Sequence, residues 1–264
     1  MQDNKLKPND KRIIISNPAP VGYSFTGWTG DIQYLQNPLS ASTIVTMANT
    51  NVTVTAIHIL NQMSNIYYGY LYNDYVVRDA RNITSVGWEV GSLAQFDALA
   101  TFCGGIPVAG KKLKSVSYGG TNDYGFNALS AGERNKNSGY GAEWGINSTY
   151  WTSTQINGSY SYYKRLWGDD KFDTYSNYPL QTGYSIRLIK TTTTLTHGQS
   201  GIYIGNDGKV YPTICINNQE WLAVNLAETK YRDFSIIPTV TDWTTWGGLI
   251  TGGKCALNNN ESNV

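Results

Sequence analysis

Residues 139–190 read GYGAEWGINSTYWTSTQINGSYSYYKRLWGDDKFDTYSNYPLQTGYSIRLIK. Trp151–Gln155 at one end and Tyr184–Ile189 at the other have the β-branched and aromatic content of strands. The span between them is crowded with Tyr, Ser, Asn, Gly and Trp and poor in aliphatics. Such a mixture suits a contact surface: Tyr and Trp give large area at low rotamer cost, while Ser, Gly and Asn adapt their hydrogen bonds. The reading is a rigid β scaffold that displays loops to a partner, a binding module and not a catalyst. Tyr160, Tyr162, Tyr163, Trp167, Tyr175 and Tyr178 stand in polar, glycine-flanked sequence and are the candidate ligand-binding residues. Exchanging Tyr162, Tyr163 and Trp167 together for Ala is then expected to remove binding and leave stability intact. Arg187 alternates with Ile186 and Leu188, a pattern predicting a structural ion pair or hydrogen bond.

Upstream, the sequence predicts one good helix, in GWEVGSLAQFDALATFCGG. Ser92 and Gln95 have capping-box spacing, Leu93, Phe96, Leu99, Ala100 and Cys103 share a face, and Gly104–Gly105 end it. Lys111–Lys114 reads as a solvated loop after the helix. Downstream, Thr191–Ser200 (TTTTLTHGQS) is a linker by composition, and GIYIGNDGKVYPTICINNQEWLAVNL predicts a hairpin about Asp207-Gly208 followed by a strand. Residues 1–11 read as a mobile polar arm. From Arg12 to Ile59 β signals recur: IIIS, GYSFTGW, STIVTM and NVTVTAIHI, broken at Asn17–Pro20, Thr29–Asp31 and Asn37–Ser40. Residues 60–66 connect the two regions.

Two resemblances are carried by these segments. GYSFTGWTGD, NPLSASTIVTM and NVTVTA resemble the Listeria–Bacteroides (internalin B-type) repeat, a small β module of surface and phage structural proteins. Its usual first strand looks curtailed here, which implies that a neighbouring chain completes the sheet. GYLYNDYVV, RNITSVGWEVGS, QFDALATF, GFNALSAGERN, YWTSTQ and GYSIRLIK, over about residues 67–190, resemble the Fibrobacter succinogenes major paralogous domain. That resemblance implies a C-type-lectin-like fold related to formylglycine-generating enzymes, of the kind used for receptor binding in phages. Asp74 and Gly91 depart from the family pattern, where Trp or Pro is common. Residues 201–264 resemble the N-terminal half of the same family, so the halves stand in reversed order. The expectation is one circularly permuted α+β domain over 65–264, with halves 67–190 and 201–264, a linker at 191–200, and an all-β attachment module at 1–60. Gly183–Lys190 should then lie near Gly201–Val210, and Asn65–Tyr68 near Asn260–Val264.

Chemistry has little material. His58 and His197 are the only histidines and both fall in connectors, which leaves no base for a nucleophile. The related enzymes use a cysteine pair, but Cys103 and Cys215 read as core, and Cys255 alone makes no site. Asp169, Asp170 and Asp173 lack calcium-loop spacing and read as a solvated acidic loop beside Lys164, Arg165 and Lys171. Asn147-Ser148-Thr149 matches a glycosylation sequon. Trp88, Trp151 and Trp221 read as core. No cofactor and no metal are expected.

Among 264 residues only 15% are charged and the net charge is +1, so neither nucleic acid nor an acidic membrane is an expected partner. No window approaches the roughly 18 apolar residues of a membrane span, and Ile13–Ser16 is too short for a signal-peptide core. The expectation is therefore a bacteriophage virion fibre or decoration protein, binding host-surface glycan or protein and assembling as a homo-oligomer or with other virion subunits. The alternative is an extracellular adhesin on a bacterial cell surface.

Overall fold

The computed structural model describes residues 7–17, 23–60, 68–136 and 144–264, and the chain divides into two compact units, Met1–Asn65 and Ile66–Val264. The arm over residues 1–6, the turn at 18–20, most of the 60–66 connector with Asn65, and the opening of the aromatic stretch at 139–143 lie outside the described residues.

The N-terminal unit consists of two antiparallel ladders. Strand β1 (Lys11–Ile15) pairs with β3 (Ser42–Thr46), and β2 (Tyr23–Gly30) pairs with β4 (Val54–Leu60). Thr43 and Val45 are buried while Ser42, Ile44 and Thr46 are not, the period-two alternation of a half-buried sheet. The other edge of β3 is occupied by Leu35 and Gln36. On β1, by contrast, Ile13 and Ile15 are about 70% exposed, at 69% and 70%.

The second unit is mostly β-sheet with a few short helices. In chain order it comprises β5 (Tyr70–Tyr72), α1 (Asp74–Val77), β6 (Trp88–Val90), α2 (Leu93–Phe102) and α3 (Ile106–Leu113). These are followed by β7 (Ser148–Gln155), β8 (Ser161–Leu166), β9 (Phe172–Tyr175) and β10 (Leu188–Lys190). The last part holds β11 (Ser200–Ile204), β12 (Val210–Ile216), β13 (Gln219–Leu222), α4 (Trp243–Gly247) and β14 (Lys254–Ala256). One sheet runs β11-β12-β13-β10-β6, a second runs β7-β8-β9, and β14 pairs with β5.

Helix α2 forms where its cap requires. The Ser92 hydroxyl accepts from the Gln95 backbone N–H at 3.3 Å, and the Gln95 side chain accepts from the Ser92 N–H at 2.7 Å. Phe96, Leu99, Ala100 and Cys103 are buried, and Phe96 meets Trp221 with ring centroids 4.8 Å apart. The glycine at position 91 is accounted for at this contact. A Cβ there would lie 2.7 Å from the Trp221 ring, so the indole occupies the space a side chain would need. Asp74 is also buried, at the first position of α1, where Arg78 one turn later pairs with its carboxylate. Burial holds the Asp74 carboxyl above its usual range against the pull of Arg78.

Residues 201–264 complete the sheets begun by the earlier segment. Ile189 stands opposite Trp221, Cys255 opposite Leu71, and the Tyr68 N–H donates to the Asn263 carbonyl at 2.8 Å. Gly183–Lys190 and Gly201–Val210 meet through the core and not by pairing: Ile186, Leu188 and Tyr203 share one cluster, while β13 takes the place beside β10. The loop expected at Lys111–Lys114 is corrected: α3 begins directly after Gly105 and carries Lys111 and Lys112 in its last turn, where they complement the helix dipole. Within α3, Gly110 is required by close approach. Its N–H donates to the Asp170 carbonyl at 2.9 Å, and a Cβ would collide with that oxygen. Lys114 is not solvated; only 2% of it is exposed, and it pairs with Asp170 at 2.6 Å.

Arg187 joins the two parts of the domain. Fully buried, it donates to the carbonyls of Phe126 and Leu222 at 2.7 Å each, to the Asn127 carbonyl at 3.1 Å and to Asn225 Oδ1 at 2.9 Å. Of the two predicted forms, ion pair or hydrogen bond, these partners are hydrogen bonds. Changing Arg187→Met leaves three carbonyls without these donors and should cost about 3–5 kcal/mol in urea unfolding. A loss under about 1 kcal/mol would contradict this role.

Candidate binding face

Successive side chains of a strand point to opposite faces, and β8 shows what this means for the aromatic stretch. On one face, Lys164 donates to Asp97 at 3.0 Å and to Thr174 Oγ1 at 2.9 Å, while Leu166 joins the Phe96 core with Phe172 of β9. On the other, Tyr163 stacks on Tyr175 of β9 at 5.5 Å and meets Trp151, Tyr184 and Tyr178 at 6.1, 4.9 and 5.8 Å. The span expected as displayed loops therefore carries β8 and β9 of a three-stranded antiparallel sheet, with β8 covered on both faces. The polar residues Lys164 and Arg165 of β8 are buried with partners, which is why the sequence resembles a loop.

Of the six candidate residues, four gather on one face: Tyr163, Tyr175, Tyr178 and Trp167. Tyr163 is corrected as a contact residue. It is 1% exposed, closed in by four rings, and its hydroxyl donates to Asn177 Oδ1 at 3.2 Å. Burial raises the hydroxyls of Tyr163 and Tyr184 well above the ordinary tyrosine range, so both stay neutral. Tyr175, Tyr178 and Trp167 are half-buried and form the outer row. The Trp167 indole N–H donates to the Tyr175 hydroxyl at 3.0 Å, fixing the two rings as a corner. Tyr160 is 40% exposed and stands at the foot of β8, in a bridge to Pro179. Tyr162 is half-buried and by alternation lies on the Lys164 side, apart from the other rings. The expectation that Tyr162, Tyr163 and Trp167 act as one exposed group is corrected for this reason.

A cation beneath these rings escaped the sequence reading. The Arg165 guanidinium lies 5.2 Å from the Trp167 centroid, 5.6 Å from Tyr163 and 5.8 Å from Tyr175. It pairs with Glu133 at 2.6 Å, with side chains 6% and 3% exposed, and donates to Thr149 Oγ1 at 3.1 Å. The signal was present as alternation, since Tyr163, Arg165 and Trp167 are spaced by two. The partner, Glu133, lies thirty-two positions away and has no local mark.

The remaining chemical candidates are bound into the scaffold. Asp169 pairs with Lys171 at 2.7 Å and Asp170 with Lys114. All three cysteines are buried and free. Burial pushes the Cys103 thiol up to about 12 and that of Cys255 up to about 11, the reverse of what a nucleophilic thiolate needs. His197 Nδ1 accepts from the Asn217 N–H at 3.0 Å, and its ring meets Phe102. Asn147 of the sequon is buried at the foot of β7, closed to a glycan.

The family model described as Fibrobacter succinogenes major domain matches residues 31–190, more than half of the chain. The match begins inside the N-terminal unit, upstream of residue 67, and ends with β10. No curated protein and no solved structure matches.

The two ends of the aromatic row should respond differently to truncation. Tyr163→Ala removes a closed-in ring and should cost about 3–5 kcal/mol in urea unfolding. Tyr160→Ala should stay within about 0.5 kcal/mol. Equal costs for the two would contradict this division between core and surface.

Proposed function

We propose a function from this premise: the chain belongs to the Fibrobacter succinogenes major domain family. The protein is a non-enzymatic binding protein, a bacteriophage virion fibre or decoration component. Its second unit is a C-type-lectin-like domain in circularly permuted order, touching glycan or protein on a host surface. The observation that carries the reading is the half-buried row Trp167, Tyr175 and Tyr178, with exposed Tyr160 nearby, held on a sheet that Arg165 and Glu133 brace from beneath. Rigid aromatic area on a preformed support is what makes binding hot spots, since little entropy is lost on contact. The buried, raised thiols support a non-catalytic role. The exposed Ile13 and Ile15 on β1 suit an attachment module that receives a strand from another chain. The same surfaces would serve the alternative, a cell-surface adhesin.

Whole-cell binding by the full chain tests the face. Tyr160→Ala combined with Trp167→Ala should weaken binding about tenfold or more, given about 2 kcal/mol for a hot-spot ring. Binding unchanged by the pair would sink this face. Finding the protein on purified virions, and losing it from them when residues 1–60 are deleted, separates the virion reading from the adhesin. The permuted order rests on the Tyr68–Asn263 bond and on β13 pairing with β10. A chain reordered as residues 1–60, 200–264 and 68–190 should fold with the same near-ultraviolet circular dichroism as the natural order. An unfolded product would count against permutation.

A further inference from the structure

Beside the turn that follows β8 lies an open depression of about 670 Å³, within the range of about 300–1,000 Å³ usual for small-molecule clefts. Its walls come from five separate places in the chain: Tyr68, Ser117 and Tyr118, Ser130, Trp144 and Ile146, and Gly168. Trp144 and Ile146 are 52% and 56% exposed. None of the described lining residues carries a charge.

The walls are tied to one another. The Tyr118 hydroxyl donates to the carbonyls of Ile146 and Leu166, joining its own segment to that of Ile146 and to the end of β8. Behind the Gly168 wall, the buried Lys114 ammonium donates to the carbonyls of Trp167 at 3.2 Å and Gly168 at 3.1 Å. It lies 5.1 Å from the Tyr118 ring centroid, and its charge is met by Asp170. The Gly145 N–H donates to the Ser130 carbonyl at 3.1 Å, which pins the loop carrying Trp144. A cleft built this way needs little ordering when a ligand enters.

We infer that this depression is a second binding site, for a neutral, uncharged oligosaccharide. A sugar ring presents an apolar C–H face and a rim of hydroxyls, which match the Trp144 and Tyr118 rings and the Ser117 and Ser130 hydroxyls. A sialylated or sulfated sugar would enter without a counter-charge among the described lining residues, because Lys114 is already paired. The site stands apart from the aromatic row and does not depend on it; the two share only the turn after β8.

The test uses the full chain on an array of neutral oligosaccharides printed beside their sialylated and sulfated counterparts, with titration of the strongest neutral responder. Neutral glycans should bind, Trp144→Ala should weaken the titrated affinity about tenfold or more, and Trp144→Phe should retain most of it. Tyr160→Ala, the probe of the aromatic row, should leave this affinity unchanged. The inference is overturned if no neutral glycan binds, if charged glycans bind more tightly, or if Trp144→Ala binds as the natural chain does with an unaltered melting temperature. Failure of the aromatic-row variants to affect cell binding would leave this site standing.

Discussion

A cation enclosed without a carboxylate sets the terms for the second unit. The Arg187 guanidinium is fully buried and, among the described residues, donates to three carbonyl oxygens and one amide oxygen. Taking such a charge out of water costs several kcal/mol, and only a full set of well-aimed acceptors offsets it. The acceptors come from a loop at residues 126–127 and from the strand and run at 222–225, so those backbones must converge on one point. The loop is prepared for this: Asn122 Oδ1 accepts from the Asn127 N–H at 2.8 Å, and Asn127 adopts a left-handed φ of 52°. The Phe126 ring then covers the guanidinium at 4.4 Å. Once Arg187 is satisfied, β10 is fixed against β13, and the contact of Phe96 with Trp221 has both its supports.

Around that point the rings are sorted by depth. Phe96, Tyr150, Phe172 and Trp221 fill the space beneath α2, while Trp151, Tyr163 and Tyr184 fill the opposite face of the β7–β9 sheet. Tyr175 and Tyr178 cover the second group from outside. The candidate contact row is thus the outermost layer of a core, and its rigidity derives from the layer beneath. The Glu133–Arg165 pair provides polar support within that layer, where removal of either partner would leave a buried charge.

Features specified by neighbours along the chain were legible in the sequence. The capping box of α2, its buried stripe, the hairpin about Asp207-Gly208 and the alternation at Thr43 and Val45 depend on residues a few positions apart. What escaped depended on distant partners. Helix α3 escaped where Gly110 packs on Asp170, which occupies the space of its missing side chain from sixty positions away. Lys114, Lys164 and Arg165 looked solvated because Asp170, Asp97 and Glu133 cannot be assigned to them from spacing. With both its faces covered, β8 lost the polar-out alternation by which strands are recognised. The aromatic row lies in the stretch from which it was expected, but Tyr163 could be told from Tyr160 only by what packs on it.

The ladder between β5 and β14 has a consequence for how the chain is made. Leu71 pairs with Cys255 and Tyr68 with Asn263, so the first strand of the second unit waits for residues far downstream in the chain. Contacts of such long sequence separation close late and slowly. Until those residues emerge, β5 can bridge Tyr72 to Tyr184 but lacks its β14 ladder, and the face of α2 that receives Trp221 stays open. Emerging chains in this condition are prone to associate through exposed apolar surface and unpaired edges. The N-terminal unit, whose ladders close within residues 11–60, can form early. The second unit closes only once residues 254–263 have emerged to meet β5.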